Sequence, residues 1–253
     1  MNRIIINADD CGYSKDVDCH IENAINKRRI SSTSIMANMD DFEGAIRLYN
    51  EYNDTISFGF HMNMTQGSPL LYSQELLDLG FFKEDNGLIV FNGNPFRRKL
   101  LTKRIREAIY KEVLTQAEKI MDSGVKISHI DSHHFMHQSV FMIPLLPKLC
   151  NDIGVFKIRN YRNYMPFSLN KIIRTAWSKA IKIENYKISF PKYFVDYQTF
   201  YNYNSCGIKY HKNNDTIELM CHPGGIYKEE ETILLENDIE RKFNCQLINF
   251  NEL

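Results

Sequence analysis

The sequence predicts an α/β fold of repeated βα units, a parallel sheet or barrel, built as a single domain over 1–253 with two long insertions. Three observations carry this. Strand-like and helix-like segments alternate for most of the length, as repeated βα units do. The first of them, Ile4–Ala8, is apolar without alternation, which marks a strand covered on both faces of a parallel sheet. Polar clusters rich in Asp and His then fall at the carboxyl ends of several candidate strands, where sheets of this kind gather their functional groups. With 253 residues the chain fits one α/β domain or barrel better than two small domains.

Taken in order, Arg3–Ala8 is the first strand, and Lys15–Arg28 follows as a helix with Val17, Ile21, Ala24 and Ile25 on one face. Ser14 or Asp16 can cap it. Ser32–Ala37 and Ile56–His61 are the next strands. Lys103–Ser123 is the clearest helix, its stripe of Ile105, Ile109, Val113, Ala117, Ile120 and Met121 stopped by Gly124. Strands are then expected at Lys126–Ser132, Val155–Ile158, Ile217–His222 and Leu247–Phe250.

Two segments break the rhythm. Gln66–Thr102 is punctuated by glycine and proline, and Asn160–Asn214 is crowded with Tyr, Phe, Asn and Lys. Insertions of this length are often lids or binding loops, and at the mouth of a barrel they would line it. Aromatics such as Tyr161, Tyr164, Trp177, Tyr193, Phe194, Tyr197, Phe200 and Tyr201 could stack on sugar rings, although most aromatics of an insertion pack the insertion itself.

Composition removes several classes. The 31 basic and 31 acidic side chains balance, so a broadly basic nucleic-acid surface is not expected. The basic run Arg97–Arg106 reads as a solvated helix start. Six cysteines without a C-x-x-C pair, and an amino terminus without an apolar leader, predict a reduced, cytoplasmic protein. No apolar run approaches the roughly 18 residues that span a bilayer, so no membrane partner is expected.

The clusters carry the chemistry. They are "NADDCG" after the first strand, "GFHMNMT" after the third, "HIDSHHFMH" after the fourth and "ELMCHPGG" near the carboxyl terminus. Asp9 and Asp10 are adjacent like charges, which a fold keeps when water, hydrogen-bond donors or a cation meet them. A solvated loop that caps the next helix would also account for them. If the fourth strand runs on, His129, Asp131 and His133 share one face. Two imidazoles, from His61 and His133, with one carboxylate of the Asp9–Asp10 pair, make a recurrent open site for a divalent ion. One aspartate would then bind the cation and the other move protons. Cys221 is read as packing, because adjacent His222 faces the other way along a strand.

These four clusters, in this order from Asn7 to Gly224, resemble the YdjC-like carbohydrate deacetylases, which include chitooligosaccharide deacetylases. The resemblance implies a distorted βα barrel of the TIM type that hydrolyses the N-acetyl group of an amino sugar with one divalent metal ion, Mg2+ or Zn2+. It implies Asp10, His61 and His133 as metal ligands, Asp9 as general base and His222 as the acid serving the leaving group. Thr65, Phe135 and Arg159 are assigned to substrate contact. Cys11 and Phe135 depart from the residues usual in the family, an aromatic and a histidine respectively. The partner is a small carbohydrate, and a homodimer is a family-level expectation. Amide hydrolysis suits such a centre, since it needs an activated nucleophile, oxyanion stabilisation and a proton for the departing amine. Rival readings are a metal-dependent phosphoesterase or sugar isomerase on the same barrel, and a sugar-binding protein without catalysis.

Overall fold

The computed structural model describes residues 1–93, 102–164, 170–209, 211–212, 214–226 and 228–253, the side chains of 170–175 apart. Its centre is a curled parallel sheet in the order β6-β3-β2-β1-β8-β7, with β9 joining the start of β1. The strands are β1 (Asn2–Cys11), β2 (Ser32–Ile35), β3 (Ser57–Met62), β6 (Ile130–Ser132), β7 (Tyr193–Asp196), β8 (Thr216–Cys221) and β9 (Cys245–Leu247). Helices wrap it, among them α1 (Lys15–Asn26), α2 (Phe42–Tyr52), α3 (Gln74–Asp78), α4 (Lys103–Asp122), α5 (Leu145–Ile153), α6 (Asn170–Glu184), α7 (Tyr197–Ser205) and α8 (Lys228–Glu236). Ile4, Ile5, Ile6 and Ala8 are buried on both faces of β1, as an unalternating apolar strand requires. Because every pairing in this sheet is parallel, all strand carboxyl ends open at one side.

The sheet is a half-barrel. Its path ends at β6 and β7, so the named strands do not close the ring. Val155–Ile158, expected as a strand, contributes only isolated parallel bridges, Ile130 to Ile158 and Lys157 to Ser189, which continue the curl beyond β6.

Other boundaries shift for local reasons. Lys126–His129 is not strand, and β6 stops at Ser132, so His133 does not share a strand face with Asp131. It opens a 3-10 segment in which His134 and Phe135 adopt left-handed backbone. In α4 the stripe is buried except for Met121, which is 40% exposed. The first insertion contains the hairpin of β4 (Phe82–Asp85) and β5 (Leu88–Phe91), turned by Asn86-Gly87 with both residues at positive φ. The second contributes β7 to the main sheet, so it is not simply a lid. Its aromatics Tyr164, Trp177, Phe194, Tyr197 and Phe200 are buried in packing. The basic run Arg97–Arg106 lies partly outside the described residues. Among the described residues, no helix is long and apolar enough to cross a membrane.

Candidate active site

Strand β1 delivers both aspartates, and its own irregularity separates them. The register with β2 shifts between Ala8 and Cys11, and Asp10 takes φ 69°. This bulge sends Asp10 up into the cleft, with 17% of its side chain exposed, while Asp9 stays 2% exposed in the wall below. The turn is held from two sides. Gly12 N–H donates to Asp18 Oδ1 at 2.7 Å, and Asp41 N–H donates to the Gly12 carbonyl at 3.0 Å. Burial pushes the Asp18 carboxyl up to about 7. Ser14 caps α1 by accepting from Val17 N–H, so the cap belongs to Ser14 and leaves the aspartate pair free for the site.

Three strand ends meet at Asp10. Its Oδ1 lies 2.8 Å from His133 Nδ1 and 3.1 Å from His61 Nε2. The ligand atoms of Asp10, His61 and His133 all lie within 4.8 Å of one another. His61 Nε2 is buried and makes no hydrogen bond, the position of an atom awaiting a ligand. Two imidazole nitrogens and a carboxylate oxygen suit a divalent cation with open positions, so this donor set fits one. Burial would raise the Asp10 pKa, but the hydrogen-bonded His133 and the adjacent His61 imidazole outweigh it and hold the carboxyl well below the usual range.

Beneath this group lies a buried ionic layer. His61 Nδ1 is 2.8 Å from Asp131 Oδ1, and Ser34 Oγ and Asn7 Nδ2 donate to Asp131 Oδ2. Burial works to lower the His61 pKa, yet the Asp131 and Asp10 carboxylates raise it to about 10. Arg159 Nη1 and Nη2 donate to the two oxygens of Asp9 at 2.7 and 2.6 Å, while Nε donates to Glu218 Oε1 at 2.6 Å. Burial raises Glu218 to about 7 although Arg159 opposes it. The structure therefore places Arg159, expected at the substrate, fully buried under the cleft and outside its lining.

The cleft above measures about 860 Å³ and is lined by Asp9, Asp10, His61, His133, Phe135 and His222 among others. His222, at the end of β8, faces it opposite the histidine pair, with 23% of its side chain exposed. Its backbone N–H donates to Glu230 Oε1 at 2.8 Å, and its Nδ1 stands 3.6 Å from the same oxygen. Burial lowers its pKa, but Glu230 and the nearby aspartates outweigh that and raise it. Thr65 does not line the cleft; it is buried behind His134, whose Nδ1 is 2.9 Å from Thr65 Oγ1. Tyr161, Tyr164, Trp177, Tyr193, Phe194, Tyr197, Phe200 and Tyr201 do not line it either, which leaves Phe135 as the expected aromatic contact that reaches it.

Sequence reasoning missed the supports. Glu230 sits in the first turn of α8, after "HPGG". Gln66 Oε1 is 3.2 Å from His133 Nε2. Gln116 on α4 brackets Asn63, accepting from its N–H at 3.1 Å and donating to its carbonyl at 2.6 Å. The available signal was polar residues in an apolar stripe, since Glu112 and Gln116 sit one turn apart beside Val113 and Ala117 and are both fully buried.

Known proteins resemble this chain in sequence and in fold. A carbohydrate deacetylase from Geobacillus stearothermophilus is 30% identical over 222 residues, covering 88% of this chain and 79% of that protein. One from Clostridium beijerinckii is 27% identical across 99% of this chain and 100% of its own length. A crystal structure from Enterococcus faecalis V583, described as a candidate cellobiose-phosphate cleavage protein, superposes with a TM-score of 0.76 at 20% identity, covering 99% of this chain and 98% of that one. That likeness bears on the fold. The family model described as YdjC-like protein matches residues 3–248, and on that match the chain belongs to the YdjC-like family.

Proposed function

We propose that the protein is a metal-dependent carbohydrate deacetylase that removes an N-acetyl group from an amino sugar or short oligosaccharide of the chitooligosaccharide type. The observation that carries this reading is the convergence of Asp10, His61 and His133 on one point, with Asp9 and His222 reaching the same cleft. Relatives named carbohydrate deacetylases over most of the chain support the substrate class.

Asp10, His61 and His133 would hold one divalent cation, zinc or magnesium. When bound it supplies the charge that polarises the acetyl carbonyl and makes water more acidic. Asp9 takes the proton of the attacking water. Its carboxylate is fixed for that task by two hydrogen bonds from Arg159 and one from Asn7 Nδ2 at 2.9 Å. His222 donates a proton to the departing amine, and Glu230 beside its Nδ1 favours the protonated imidazole. Phe135 offers an apolar face to the sugar ring.

The test is acetate release from a panel of N-acetylglucosamine oligomers, run beside a generic phosphodiester, with and without a chelator. Chelator-sensitive acetate release is the expected result. Phosphodiester cleavage with no acetate would overturn the reading.

A further inference from the structure

Arg159 is fully buried, and three carboxylates surround its guanidinium. Besides its two bonds to Asp9 and one to Glu218, Nη2 stands 2.8 Å from Asp131 Oδ2. The ring of Phe194 covers the group with its centroid 4.8 Å away. Two of these carboxylates, Asp9 and Asp131, together with His61, form a second set whose ligand atoms also lie within 4.8 Å of one another. This set shares His61 with the Asp10 group above it.

Two adjacent donor sets that share a ligand could hold two cations, one on each ring nitrogen of His61, with Nε2 facing Asp10 and Nδ1 facing Asp131. Here the space between Asp9 and Asp131 is filled by a side chain that is always protonated and has only donors to offer. We infer that Arg159 takes the place of a second divalent cation, so that the centre works with one metal and a built-in guanidinium. The inference deepens the deacetylase reading and rests on its single metal at Asp10, His61 and His133.

The substitution has a chemical consequence. A cation bound to Asp9 would hold the lone pairs the residue needs to accept a proton. A guanidinium fixes the same carboxylate through hydrogen bonds, which can be re-shared as a proton arrives. Such a centre is suited to a single polarised carbonyl and unsuited to in-line displacement between two metals.

The experiment compares wild type, Arg159→Lys and Arg159→Ala after equilibration with Mn2+ and dialysis, reading manganese per chain by elemental analysis and folding by circular dichroism. One Mn2+ is expected in wild type and in Arg159→Lys, which keeps the charge. Two are expected in Arg159→Ala, where charge and volume are vacated among three carboxylates. Because that variant leaves buried carboxylates unpaired, the double variant Arg159→Ala with Glu218→Gln serves as a less charged second test with the same expectation. Added Mn2+ should also raise the melting midpoint of either variant more than that of wild type. A single Mn2+ in wild type and in the folded variants overturns this inference alone. Two in wild type also overturn it. None in wild type overturns the single-metal reading beneath it. If both variants stay unfolded even with Mn2+, the cation does not substitute for the guanidinium and the inference fails.

Discussion

His61 Nδ1 lies 2.8 Å from Asp131 Oδ1, and this contact turns Nε2 of the same ring toward Asp10 and the cleft. In the metal-free protein the two carboxylates raise the imidazole to about 10, so at neutral pH it carries a proton that a cation must displace. Metal affinity should therefore rise with pH, by about tenfold per unit for each proton released. That same proton stabilises the metal-free fold fully below the unfolded value of about 6.5, and the contribution is lost as pH rises toward about 10. Asp131→Asn removes the orienting anion and should weaken metal binding by roughly 10- to 100-fold. Titration with Zn2+ at several pH values checks both. A pH-independent affinity would show that His61 is not a ligand.

The half of the site that was legible in the sequence lies where strands end abruptly in charge. Asp9, Asp10, His61, His133 and His222 each lie at or just past the carboxyl end of a candidate strand, and a parallel sheet leaves them one place to meet. What was not legible sits far away in sequence. Arg159 is 150 residues from Asp9, and nothing in "KIRNY" shows that its side chain turns inward under β1. Register has the same limit. The strand expected over Lys126–Ser132 begins only at Ile130, and it does not run on to His133 because a 3-10 segment follows Ser132, in which His134 and Phe135 take left-handed backbone that no periodicity encodes. In the second insertion, β7 is short and flanked by aromatics, so its four residues were hidden inside a segment that looked like a loop.

The two aspartates should separate in experiment. Asp10→Asn removes a charged ligand and should lower metal content and activity together. Asp9→Asn leaves the three ligands in place, so metal content stays near normal while kcat falls by roughly 100-fold or more. Metal analysis beside steady-state kinetics decides this. Equal metal loss in both variants would remove the division of labour.

Glu230 should set the pH range of catalysis through His222. A proton donor must be protonated, and Glu230 with the site aspartates raises the His222 pKa against burial. Glu230→Gln removes an anion from that balance, so the imidazole loses its proton at lower pH. The alkaline limb of the kcat profile should shift toward acid, with the acid limb unmoved. An unshifted profile would show that another group donates the proton.

Gly59 has a packing role that activity assays would miss. A Cβ at this position would stand 2.3 Å from the His129 ring, which is itself stacked on Phe250 with centroids 3.6 Å apart. The imidazole cannot retreat, so Gly59→Ala should cost about 1–3 kcal/mol, the usual scale for overpacking a core. Denaturant unfolding checks it, and unchanged stability would mean that the ring is free to move.

Phe135 should reveal both a substrate contact and a stored strain. Together with His134 it forms a consecutive left-handed pair at φ 56° and 53°, a conformation that bulky side chains rarely adopt. The pair is braced where His134 Nδ1 meets Thr65 Oγ1 and where the Phe135 ring meets Phe194 edge-on at 6.0 Å. Asparagine tolerates left-handed backbone, whereas a β-branched residue does not. Phe135→Asn should therefore be more stable than Phe135→Val by about 1 kcal/mol, even though valine is the more apolar replacement. Both changes remove the flat face offered to the sugar, so both should raise KM for an acetylated oligomer more than they lower kcat. Thermal melts and steady-state kinetics on the same two proteins separate these effects. If valine is the more stable replacement, the left-handed pair is not held in solution; if KM is unchanged in both, the sugar ring lies elsewhere in the cleft.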